Sequence, residues 1–139
     1  MASFVIDASI AIAGLSPDET HVAASAIVDR ALATGCHAPA IWPFEVENIL
    51  NLKARRGHIL AEEGARARQA MRDFHAIIDC EDIFASLAAA RPLCDVHNLT
   101  IYDASYLDLA RRLRLPLATL DRRLAQAAAR EGVALLAAV

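Results

Sequence analysis

Four acidic residues stand out by where they fall. Asp7 ends the short apolar run Ser3 to Asp7 (SFVID), and Asp121 follows a second apolar run, Leu117 to Leu120. Asp103 lies in the first turn of an amphipathic stretch that reads LTIYDASYLDLA from Leu99 to Ala110. A carboxylate there meets the positive end of the helix dipole and tends to stay ionised. Glu45 shares a largely apolar stripe with Asn48, Ile49 and Leu52 at i, i+3, i+4 and i+7. Flanked by Trp42, Phe44 and Val46, it is costly to bury unless a cation or a donor meets it. Four such anions in one pocket repel each other strongly unless cations neutralise them, and a cluster of hard oxygens favours Mg²⁺ or Mn²⁺. Arg122 and Arg123 directly follow Asp121 and could hold phosphates near that ion. Three of the acids also admit plain structural roles. Thr100 and Asp103 fit a capping box, Asp121 fits an N-cap, and Asp7 fits a turn former with Ser9 capping the turn.

The elements that must position these acids alternate between strand and helix. After the strand ending at Asp7 comes a turn region around Gly14, Ser16 and Pro17. A helix follows over residues 20–32, closed by Gly35, and then a strand over 36–38. Pro43 opens a helix to about Arg56, stopped by Gly57, and a second runs from Leu60 to about Phe74. Residues 76–80 form a strand, Asp82 caps a helix through Ala90, and residues 93–98 connect to the helix opened by Thr100, which runs to about Leu113. Pro116 ends that helix. A strand over 117–120, a helix from Asp121 to Arg130 and a last strand over 133–136 complete the series. This pattern predicts an α/β fold, one domain over residues 1–139, with a five-stranded, mostly parallel sheet and helices on both faces. In such sheets the crevice lies beyond the carboxyl ends of the strands, where Asp7 and Asp121 both fall. Asp108, about 140° around an ideal helix from Asp103, is assigned to the solvent face, and the pairs Arg55–Arg56 and Arg111–Arg112 to a solvated surface.

Composition narrows the classes. At 139 residues the chain is long enough to bury a core without disulfides, and its net charge of −3 gives no global attraction for nucleic acid. No apolar run reaches the length of a membrane span and no secretory leader pattern opens the chain, which predicts a cytoplasmic protein with no membrane partner. Cys36, Cys80 and Cys94 lack zinc-site spacing and read as reduced thiols, and the five histidines show no ligand spacing. Lys53 is the only lysine. A phosphoacceptor receiver domain needs a lysine at the end of the last strand, and a haloacid-dehalogenase-type phosphatase needs a second acid two residues after Asp7, where Ser9 stands, and also a lysine, so both classes fit poorly.

Four blocks, FVIDASI, APAIWPFEVENIL, LTIYDASYLDLA and LPLATLDRRL, resemble the PIN-domain family over the full length, and within it the VapC-type toxins of toxin–antitoxin pairs. The resemblance implies an acidic metal site made of Asp7, Glu45, Asp103 and Asp121. Ser9 and Thr119 would orient carboxylates beside it, with Asn48 at a polar position after the glutamate. It further implies a Mg²⁺- or Mn²⁺-dependent endoribonuclease that leaves 5′-phosphate and 3′-hydroxyl ends. A cognate VapB-like antitoxin, a homodimer, and contact with operator DNA only through the antitoxin are implied too. An open groove lined by the Trp42 and Phe44 region and the 60–74 helix would serve that partner. The competing reading is a catalytically inactive PIN-like domain that acts only as an antitoxin-binding co-repressor module.

Overall fold

Phe4, Val5 and Ile6 are wholly buried and lie at the middle of a parallel sheet. The computed structural model describes residues 4–136, so Ser3, where the first strand was expected to begin, lies outside them. In chain order the elements are β1 (Val5–Ile6), α1 (Ala8–Leu15), α2 (Val22–Thr34), β2 (His37–Pro39), α3 (Trp42–Arg55), α4 (Ala61–Asp73), β3 (Ile77–Asp79), α5 (Ile83–His97), α6 (Ile101–Leu113), β4 (Leu117–Ala118) and α7 (Arg122–Arg130). The strands lie in the order β3-β2-β1-β4, all parallel, with Val5 opposite both His37 and Leu117, and Pro39 opposite Asp79. Among the described residues the sheet therefore has four strands and not the expected five. The 133–136 segment reaches β4 only through an isolated parallel bridge, Leu117 to Leu135.

Three other expectations are corrected. The turn expected around Gly14, Ser16 and Pro17 begins only at Pro17, and residues Ala8–Leu15 before it form the unexpected helix α1. Its sequence ASIAIAGL is apolar on nearly every side because the helix is buried, so no amphipathic period marks it. Helix α5 does not stop at Ala90 but continues through Pro92 to His97. Proline removes one backbone hydrogen bond there, yet Ala90 and Leu93 are buried and α5 packs along α6, which holds the helix together across the missing bond. It ends at Asn98, which adopts the left-handed conformation that asparagine tolerates.

Asp108 is the third. It is 1% exposed, accepting from Arg112 Nε at 2.7 Å and from Arg111 Nη2 at 3.5 Å. Arg112 Nη2 also donates to Asp79 at 2.8 Å, so this arginine joins α6 to the end of β3 instead of lying free in solvent. The reason is that α6 is buried almost all round over Ala104–Ala110 and offers no solvent face at residue 108.

Helix α6 contacts β1, β2, β4, α5 and α7, while α1 contacts α2, α3 and α4. Among the described residues no helix is long and apolar enough to cross a membrane. The α1–α2 contact depends on Gly14, where an added Cβ would stand 2.3 Å from Val28 Cγ2 and 3.0 Å from the Ala24 carbonyl oxygen. Valine in a helix has little rotamer freedom to yield. Gly14→Ala is therefore expected to lower unfolding stability by about 1–3 kcal/mol in urea titrations. Adding Val28→Ala should recover part of that loss, giving a double variant more stable than the two single losses sum to.

Candidate functional site

Asp7 sits where β1 ends and α1 begins, and three donors fix it. Ser9 Oγ donates to its Oδ1 at 2.6 Å and the Ile10 amide to the same oxygen at 3.1 Å, which caps α1. The buried Thr119 hydroxyl, at the end of β4, donates to Oδ2. Ser9 and Thr119 are themselves held: the Leu120 amide donates to Ser9 Oγ at 2.9 Å and the Asp121 amide to Thr119 Oγ1 at 3.0 Å. Asp7 is 4% exposed, and this burial pushes its carboxyl up to about 6 despite the three donors, with the Asp103 charge adding to the rise.

Asp103 occupies the first turn of α6, which Thr100 caps by accepting from the Asp103 amide at 3.1 Å. Its carboxyl is also pushed up to about 6, first by partial burial and then by the charges of Asp121 and Glu45, while Thr100 and Arg123 pull it back. Glu45, in the first turn of α3, is raised by burial and opposed by the Tyr106 phenol, which donates to its Oε1 at 2.8 Å. Asp121 is exposed and caps α7, its Oδ1 accepting from the Leu124 amide at 3.0 Å.

Asp103 is thus the common neighbour: Asp7, Glu45 and Asp121 all lie within its electrostatic reach. Among the described residues, however, no group of three or more His, Cys, Asp or Glu side chains is arranged to hold an ion unaided. Mg²⁺ seldom needs such a cage, because it keeps several waters and takes one or two carboxylates with substrate phosphate. The donor set here, carboxylate and hydroxyl oxygens, suits a hard cation of that kind.

The remaining expected residues separate. Arg123 lies close enough to lower the Asp103 carboxyl, whereas Arg122 lines a shallow depression with Ala125, Gln126 and Leu135. Asn48 is exposed, one turn beyond Glu45 on α3. Trp42 does not line an open groove. It is 2% exposed and stacks on Phe74, with ring centroids 6.0 Å apart, because α3 and α4 pack against each other there. The open cavity, about 260 Å³, lies instead between the start of α3, α5 and α6. Ile41, Phe44, Ile83, Leu87 and Tyr102 line it, with α4 taking no part. Phe44 is 74% exposed at this opening. Tyr106 is the residue that reading for acids missed, and its one signal was a hydroxyl three positions after Asp103, on the same helix face.

A family model described as PIN domain matches residues 4–130. The chain is 32% identical over 122 residues to Ribonuclease VapC3 of Pyrobaculum aerophilum, covering 88% of this chain and 92% of that one. Among solved structures it resembles a Pyrobaculum aerophilum protein with a TM-score of 0.69 and 23% identity, covering 91% of this chain and 79% of the other. FitAcB from Neisseria gonorrhoeae gives a TM-score of 0.66 at 17% identity, with 96% of each chain covered. A toxin–antitoxin complex from Klebsiella pneumoniae gives 0.59 at 23% identity, covering 86% of this chain and 87% of the other.

The raised carboxyls carry a consequence for stability. Asp103 titrates at about 6 when folded against an ordinary 3.8, so its contribution is fully present below about pH 4 and is lost as pH rises through about 6. In protein kept in EDTA, Asp103→Asn is expected to match the wild type in thermal melts near pH 4 and to melt a few degrees higher at pH 7.5. Equal melting temperatures at pH 7.5 would show that the charge on Asp103 carries no strain.

Proposed function

The chain belongs to the PIN-domain family, and from that membership and the disposition of its acids we propose that it is the toxin of a type II toxin–antitoxin pair, a metal-dependent endoribonuclease. The observation that carries the proposal is the coupling of Asp103 to Asp7, Glu45 and Asp121 at the carboxyl ends of β1 and β4. The buried Asp7 beside the part-buried Asp103 and Glu45 is costly without a cation, and a phosphodiester, itself anionic, is accepted there only through one. The name of the relative at 32% identity supports RNA as the substrate.

In this reading Asp7, Glu45, Asp103 and Asp121 would hold Mg²⁺ or Mn²⁺. The ion supplies Lewis acidity at the phosphoryl oxygen and lowers the pKa of water. Ser9 and Thr119 fix the Asp7 carboxylate by donating to separate oxygens, so it presents its remaining lone pairs in one direction. Arg123, on the Asp103 side, offers a cation to the RNA phosphate, and Arg122 a second contact further along the strand. The water oxygen bonds to phosphorus and gives up a proton as the P–O3′ bond breaks, and the leaving 3′-oxygen takes up a proton in its place. The products are a 3′-hydroxyl and a 5′-phosphate.

A cognate VapB-like antitoxin is part of the proposal, in line with the toxin–antitoxin complex among the structures that share this fold. The cavity edged by Phe44 and Tyr102, rather than the Trp42 region, offers apolar surface for a partner helix. We also propose a homodimer, which would meet operator DNA only through the antitoxin.

Purified protein with Mn²⁺ is expected to cleave a long RNA. Asp7→Asn and Asp103→Asn should each lower the rate by roughly a hundredfold or more while circular dichroism stays native. EDTA should stop cleavage and Mg²⁺ restore it, with end-mapping showing 5′-phosphates. Undiminished cleavage by both variants overturns the assignment, and a folded wild type that cuts nothing but still binds its antitoxin favours the inactive binding module.

A further inference from the structure

Glu45 differs from Asp7 and Asp121, which cap α1 and α7, in having a longer stem and no capping role of its own to hold its carboxylate. Its fixed contact comes from 61 positions away, where the Tyr106 hydroxyl on α6 donates to Oε1 at 2.8 Å. Tyr106 is 1% exposed, so its ring is locked by packing, and it follows Asp103 by three residues on the same face of α6. Its hydroxyl lies within electrostatic reach of Glu45, Asp7 and Asp103 together. One helix therefore carries one acid of the site and the donor that restrains another.

We propose that Tyr106 is a positioning residue: by occupying Oε1 it holds the Glu45 side chain of α3 in one rotamer and leaves Oε2 to take the divalent ion beside Asp103. This rests on the nuclease reading given above. A glutamate left to itself samples several side-chain rotamers, and fixing it in advance removes that entropy cost from ion binding. A buried phenol is well suited to the task. It is rigid, it has a single proton to donate, and the acceptor it finds here is the carboxylate itself.

The test is a double-variant cycle read by direct Mn²⁺ binding, with free Mn²⁺ followed by electron paramagnetic resonance, alongside kcat and KM on RNA. Tyr106→Phe keeps the ring and removes only the hydroxyl. It is expected to weaken Mn²⁺ binding by about tenfold, the scale of groups that orient metal ligands. It should lower kcat at saturating RNA while leaving KM for RNA unchanged. Glu45→Gln should weaken binding at least as much, and the pair together should lose no more than Glu45→Gln alone. A purely structural role for the hydroxyl would instead lower the melting temperature with Mn²⁺ affinity intact, or give losses that add to those of Glu45→Gln, and either result overturns the proposal. Should Glu45→Gln itself bind Mn²⁺ like the wild type, the ligand assignment fails first and the role of Tyr106 falls with it.

Discussion

Burying one carboxylate between two strand ends is the constraint around which this molecule is built. Asp7 could not remain below one-twentieth exposure as an anion without donors on both oxygens, and the chain supplies them from its immediate neighbours Ser9 and Ile10 and from Thr119, 112 residues away. That requirement pins the start of α1 to the end of β4. It also fixes Asp121, whose amide is held by Thr119 and whose side chain starts α7. Site geometry and strand pairing are in this sense one structure, since the register of β1 against β4 places the donors.

The same group carries opposite tendencies. Its donors favour the anion, its burial favours the neutral acid, and burial wins, with repulsion from Asp103 adding to it. Asp103 is less buried but is pressed by two further acids. Such a cluster is destabilising for the fold at neutral pH, and a protein that kept it purely for architecture would do better with amides or aliphatic residues. That concentration of charge at the mouth of a parallel sheet is the feature on which the proposed ion site rests.

How much of this was legible in the sequence follows from what each signal depends on. Asp7, Asp103 and Asp121 were readable because they stand at element boundaries, where backbone amides need acceptors and local spacing alone marks the position. Gly35 and Gly57 were readable as terminators for a similar local reason, and both adopt positive φ. Helix α1 was not, because a helix buried on every side has no polar face to give it a period. The end of α5 was placed too early, at Ala90, since the packing of Ala90 and Leu93 carries the helix on through Pro92. Asp108 was misjudged because packing on nearly every side of α6 leaves it no solvent face, and Tyr106 was missed because its partner, Glu45, lies 61 positions away. Trp42 belongs with them, for its stacking on Phe74 spans two helices.

The sheet is also notable for how little margin it leaves. Strand β3 forms one side of it and is three residues long, with Ile77 half exposed and Asp79 tied down by Arg112 and Ser86. A ribbon so short exposes few unpaired amides and carbonyls, and the salt-bridged aspartate blunts its end. Strand β4, on the far side, is partly covered by the returning chain at Leu135. Neither border is a good template for an unfolded copy to add to, which protects an alanine-rich, apolar chain against fibrous self-association when it accumulates.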